Sequence, residues 1–196
     1  MKPEKDIADK VLEEANERFQ LIQQSDSDNR KNYKADLAFV YSPGQQWPDD
    51  VRQRRTGWQE LCLEFNQLKQ FVAQVVNDQL QNRPGIRVHP TDSDASEDVA
   101  EILQGMVRSI ETDSNADDTY KLAFKLAVAA GIGWWRVVSE YESEDGFDQK
   151  LVIKPIQDSL MVYADLEYEQ PDGSDRRFVF VVEKLTKTEF ARKYPK

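Results

Sequence analysis

The chain has 196 residues and a mass of 22.7 kDa; 39% of the residues are hydrophobic and 32% charged, the mean hydropathy is −0.72, and the formal net charge is −10. Such an acidic field repels nucleic acid and anionic membrane at long range. Cys62 is the single cysteine, so no intrachain disulfide scaffold is possible. The opening MKPEKDIADK lacks the apolar run of a signal peptide, and no stretch approaches the ~20 apolar residues that span a bilayer. These features predict one ordinary domain, or a piece of a larger one, soluble and of intracellular origin.

Taken in order, Ile7, Val11, Leu12, Ala15, Phe19 and Ile22 form a stripe of helical period. The polar run SDSDNRKN interrupts it, and Tyr33, Leu37 and Val40 resume it, as one long helix or two with a break. Pro43 and Gly44 end that pattern, and Pro48 opens a short helix over 48–55. After a turn at Gly57, the alternation of Leu61, Leu63 and Phe65 predicts a short strand. Asn66 can cap the next helix, whose buried stripe is Leu68, Phe71, Val72, Val75 and Val76 and which stops at Pro84. IRVHP follows as a second short strand.

Asp94 and Glu97 read as a capping box for a helix carrying Val99, Ile102, Leu103, Met106, Val107 and Ile110. A third helix, rich in alanine and apolar almost all round, runs to Gly131 and Gly133. The period then changes to two, and four strands are expected: WWRVVSEYE, KLVIKPI, SLMVYAD and RFVFVVE, the first two joined by a turn at SEDG. A second capping box, Thr186 with Glu189, starts a last helical turn before Pro195. The expected class is α+β, with amphipathic helices in the first two thirds and an antiparallel β-meander after them. The chain is expected to be a single region: helical over 1–41, helical with short strands over 48–130, and the meander with its terminal turn over 133–196.

Few residues carry chemistry. His89 is the only histidine and has no partner at ligand spacing; Cys62 has no histidine near it in sequence. Asp165, Glu167 and Glu169 alternate as in a calcium loop, but Gln170 stands where that loop needs glycine and Arg176 where it needs glutamate. Gly131 and Gly133 follow a helix and open a strand, the reverse of a phosphate-binding glycine loop. No catalytic residue, cofactor site or metal site is therefore expected. Two clusters remain as candidates. Arg52, Arg54 and Arg55 are the one dense basic group, suited to phosphate or an acidic partner, or else to pairing with nearby carboxylates. Gln70, Gln74, Asn77 and Gln81 line one helix face with neutral amides, where a solvated face usually mixes charges. Such a row can exchange hydrogen bonds with a copy of itself or with a neighbouring element without charge repulsion, or else is a merely solvated face.

Four segments, GQQWPDDVRQRR, QFVAQVVNDQLQNRPGIRVHP, GIGWWRVVSEYESEDGFDQKLVIKPI and DGSD, occur in this order and at spacings that resemble the portal proteins of tailed bacteriophages, of the short-tailed head-to-tail connector type. The resemblance runs from about Ala15 to Tyr194. It implies the wing of a homo-oligomeric ring, usually of twelve subunits, without the stem, clip and crown. It also implies a place in the virion at one capsid vertex, after assembly in the host bacterial cytoplasm, and no membrane. Its partners would be other copies of itself, terminase, a tail adaptor, and scaffolding and capsid proteins. Double-stranded DNA would pass through the ring without tight binding, and no enzymatic activity is implied. The rival reading is a metal-dependent hydrolase using the carboxylates of the last third, which requires those side chains to converge in a pocket. A DNA-binding module would need a basic face that this sequence hardly offers.

Overall fold

The computed structural model describes residues 3–83, 85–91, 96–143, 146–170 and 172–194. The order of elements is helices first and strands after, an α+β arrangement. The chain forms two compact units, Met1–Asn32 with Leu160–Lys196, and Tyr33–Ser159.

In the first unit, α1 (Pro3–Ser25) is followed after one residue by the start of α2 (Ser27–Tyr41), whose residues from Tyr33 on belong to the second unit. The polar run thus makes a break rather than a loop. The Asp26 amide still donates to the Ile22 carbonyl, and the Arg30 amide to that of Asp26. Phe19 and Ile22 supply the buried side: Ile22 is the most enclosed large residue, and Phe19 meets Tyr163 and Phe180 edge-on at 4.8 and 5.6 Å. Tyr163 belongs to β3 (Val162–Ala164), which follows a 3-10 turn at Ser159–Met161; Phe180 belongs to β4 (Val179–Val181). The two strands pair antiparallel, Tyr163 opposite Phe180. The closing helix α7 (Lys187–Lys193) has its capping box, Thr186 accepting from the Glu189 amide and Glu189 from the Thr186 amide. Pro195 lies outside the described residues.

In the second unit, α3 (Asp49–Gly57) starts after Pro48, with Asp49 and Asp50 in its first turn and Arg54 and Arg55 in its last, complementing the helix dipole at both ends. Helix α4 (Leu68–Gln81) begins where Asn66 Oδ1 accepts from the Leu68 amide. Of its five expected core residues only Val72 and Val76 are buried; they cluster with Val40, beside Tyr41, Leu80 and Phe124. Leu68, Phe71 and Val75 are exposed, contrary to the expectation from the sequence. Pro84 lies outside the described residues.

Helix α5 (Glu97–Asp113) is capped by Ser96, which accepts from the Asp98 amide. The expected cap, Asp94, lies outside the described residues. Helix α6 (Ala116–Ala130) buries its small side chains, Ala116, Thr119, Ala123 and Ala129, and ends at Gly131 in the left-handed region with φ +91°. The chain then passes so close to the helix that a Cβ on Gly133 would sit 1.8 Å from the Ala123 carbonyl oxygen. Strands β1 (Trp135–Tyr141) and β2 (Gln149–Pro155) pair antiparallel from Trp135 opposite Pro155 to Tyr141 opposite Gln149. Of the SEDG turn joining them, Glu144 and Asp145 lie outside the described residues.

The four late strands therefore exist as two separate pairs rather than one run of neighbours. The two early strands do not form. Residues 86–88 are extended, but the Gln104 side chain occupies the place of a partner strand: its Nε2 donates to the Ile86 carbonyl and its Oε1 accepts from the Val88 amide, both at 2.8 Å. Residues 60–66 likewise have no partner strand among the described residues and are held by side chains.

Candidate functional site

The stretch from Ser42 to Gln81 is built around two inward-turned polar residues. Glu64 accepts from the backbone amides of Gly44 at 2.5 Å and Gln46 at 3.2 Å. Asn66 donates to the Val40 carbonyl at 2.7 Å. Carbonyls of the extended segment are taken by side chains of the preceding helix and loop: Arg55 Nη2 donates to Leu61 at 3.0 Å and Trp47 Nε1 to Leu63 at 3.2 Å. Cys62, Glu64 and Asn66 are thus half-buried, while Leu61, Leu63 and Phe65 face solvent. The alternation visible in the sequence is real, but its apolar side points outward.

The arginine cluster is interleaved with this scaffold. Arg52 donates to the Gly44 carbonyl at 2.8 Å and pairs with Asp49 at 2.5 Å. Arg54 pairs with Asp50 at 3.0 Å. Arg55 reaches Glu60 at 3.3 Å and lies over the Trp47 ring, 5.1 Å from its centroid. Each guanidinium has a local partner, and any phosphate would have to compete for it. The amide row sits on α4 with Gln70, Gln74, Asn77 and Gln81 all exposed.

The acidic loop of the first unit is organised by its own carboxylates. Asp165 is buried and accepts from the Glu167 amide at 3.1 Å and from Arg177 Nε at 3.0 Å; Arg177 also pairs with Glu167. Asp175 accepts from the amides of Glu169 and Gln170, and Asp172 from that of Ser174. Desolvation works to raise the Asp165 carboxyl, but the Glu167 amide and Arg177 outweigh it and hold it below the usual carboxylate range. Asp172 and Asp175 are held down by the backbone amides that they accept. Among the described residues no three His, Cys, Asp or Glu side chains converge as a metal site would need. Cys62 is half-buried and His89 exposed. A cleft of about 680 Å³ in the second unit lies between the end of α4 and the length of α6, lined by Leu80, Ile86, Phe124 and Trp135 among others. The Tyr120 hydroxyl there donates to Glu111 at 3.3 Å, and burial, then Glu111 and Asp117, push its phenol up. No described helix is long and apolar enough to cross a membrane.

Residues 16–196 match the family model of the Phage P22-like portal protein. The chain is also similar to the portal protein of Acyrthosiphon pisum secondary endosymbiont phage 1, 24% identical over 138 residues, a match covering 68% of this chain and 19% of that protein. Both matches are to phage portal proteins. The chain belongs to the phage P22-like portal protein family.

Several residues that build these features carry no visible signal in the sequence. Glu64 and Gln104 read as ordinary polar positions, and their work depends on backbone that the fold brings to them. Arg30, in α2, is hidden within the polar run that breaks the first helical pattern, yet it holds the first unit together through β3.

Proposed function

We propose that this chain is a wing-like part of a portal subunit, one of the copies forming the ring at a single capsid vertex through which double-stranded viral DNA is packaged and later ejected. The observation that carries this reading is the family match over 16–196. The charge agrees with it. A channel that lets DNA slide gains nothing from tight phosphate contacts, and the chain has 36 acidic against 26 basic residues. On this reading the partners are other copies of itself, the packaging terminase, a tail adaptor, and the capsid and scaffolding proteins. The role is structural, with no catalytic step. Immunogold labelling of purified virions with an antibody to this chain tests it. Label at one vertex, where the tail joins, is the expected result. Label spread over the shell, or absent from virions, refutes the proposal.

A further inference from the structure

We propose that the outward stripe running from the extended segment onto α4 is the surface by which one copy of this chain grips a different face of the next. This rests on the portal reading, and it names where in this chain the subunits meet.

The stripe consists of Leu61, Leu63, Phe65, Leu68, Phe71 and Val75, exposed by 74, 65, 83, 38, 60 and 45%. A period-two pattern passes directly into a helical one, and both present the same kind of surface. Together these residues expose on the order of 600–700 Å², from the areas that large apolar side chains carry. That is at or above the largest patch of a typical monomer, ~300–600 Å², and close to the ~800 Å² that each partner gives to a standard interface. The backbone beneath is already fixed by Glu64, Asn66, Trp47 and Arg55. Little ordering entropy therefore remains to be lost on docking.

Charge decides the kind of partner. Two copies of a chain at −10 repel each other unless they meet through uncharged surface. The stripe itself is uncharged. Glu60 is paired with Arg55 at 3.3 Å, and Glu64 is turned inward onto two amides. On a helical wheel Gln74 and Gln70 lie to one side of Phe71, with Val75 and Leu68 on the other, so the amide row borders the apolar stripe along one edge, as polar rim residues do at protein interfaces. Asp78, seven residues on from Phe71 and nearly in line with it, is the one carboxylate of α4 and sits at the far end of the stripe. A ring needs a heterologous contact, in which this stripe meets a different surface of its neighbour.

The test uses the full chain with Phe65 replaced by the photo-reactive p-benzoylphenylalanine, as an equal mixture of light and heavy isotope-labelled protein. It is irradiated at about 100 μM, enough to populate a contact of micromolar to submillimolar affinity. Mixed-isotope cross-links from position 65 to peptides outside 58–81 are expected. With the photo-reactive group moved to position 71, the Leu61→Asp/Leu63→Asp variant should lower their yield at least about tenfold, as a loss of roughly 1.4 kcal/mol implies. Both leucines are exposed, so the fold should survive, and circular dichroism checks this. Cross-links only back to the stripe itself would indicate a two-fold dimer and overturn the inference. Absence of mixed-isotope cross-links, or a yield unchanged by the two aspartates, overturns it as well. Neither result touches the vertex labelling, which decides the portal reading on its own.

Discussion

Arg30 concentrates several interactions of the first unit on one side chain, and removing it should loosen that unit selectively. Its guanidinium donates to the backbone carbonyls of Val162, at 3.1 Å, and Leu160, pairs with Asp26 at 3.4 Å, and stacks on the Tyr163 ring, 3.8 Å from the centroid. Only 15% of the side chain is exposed. Each hydrogen bond from a charged donor is worth about 1.5–3 kcal/mol, and the ring contact about 1–2 kcal/mol when desolvated. These terms overlap, and water will recover part of the loss in Arg30→Ala. A net cost of about 3 kcal/mol therefore follows, which is on the order of 100-fold in an opening equilibrium. Arg30→Lys keeps the charge but loses the fork and the flat stack, so it should cost about tenfold. Hydrogen exchange read by mass spectrometry on peptides covering 160–182 measures this directly. Peptides covering 68–81 serve as the control, because they belong to the other unit. Faster exchange by less than about threefold in Arg30→Ala, under ~0.7 kcal/mol, would refute the clamp. So would identical effects of alanine and lysine, since lysine keeps the charge and loses only the guanidinium geometry.

Three other perturbations test separate parts of the argument. Gly133→Ala places a Cβ 1.8 Å from the Ala123 carbonyl oxygen and should cost about 3 kcal/mol or more, against about 1–2 kcal/mol for Gly131→Ala at φ +91°. Urea unfolding followed by tryptophan fluorescence ranks the two, as Trp47, Trp58, Trp134 and Trp135 all lie in the second unit; the reverse order would contradict the close approach. The folded-state carboxyls of Asp165, Asp172 and Asp175 are lowered, so the stability they contribute is fully present above the unfolded value near 3.9 and lost as pH falls through the lower folded values. Amide protection at Glu167, Gln170 and Ser174 should therefore be flat from pH 8 to about 5 and fall only below ~4; a loss between pH 7 and 5 would point to another group. Finally, fluorescence anisotropy at ~150 mM salt should detect no submicromolar binding of double-stranded DNA, because three arginines that already have partners could give a salt slope of at most roughly −3. Submicromolar affinity lost on replacing Arg52, Arg54 and Arg55 would make the cluster a DNA site.

Long elements were legible because their periodicity repeats many times. Helices α1, α4, α5 and α6, the β1–β2 pair and the Thr186–Glu189 capping box can all be read from residue order alone. The early strands could not be excluded in the same way. Leu61, Leu63 and Phe65 do alternate, and residues 86–88 are extended, but a strand needs a backbone partner, and here side chains of Arg55, Trp47 and Gln104 take that place. The candidate clusters were visible as composition. That Arg52 and Arg54 have local partners is a matter of helix geometry, since Asp49 and Asp50 lie three and four residues away on the same faces, whereas Arg55 meets Glu60 only because the chain turns back after the helix ends.

Periodicity also says which face of an element needs covering, without saying what covers it. Helix α5 has a clear apolar stripe, yet none of its residues is buried, and Val99, Ile102, Leu103 and Met106 stand 45–63% exposed. Helix α4 splits the same way, with Val72 and Val76 inside and Leu68, Phe71 and Val75 outside. A chain selected to fold and act alone would lose solubility by keeping two such faces open. A chain that folds as one part of a larger assembly must keep them, because the surfaces that cover them arrive only when neighbouring elements or copies do. The mismatch between a strong apolar pattern and weak burial is what the proposed assembly predicts. It is carried by residues such as Phe65 and Ile102, whose exposure has no use within the unit that bears them.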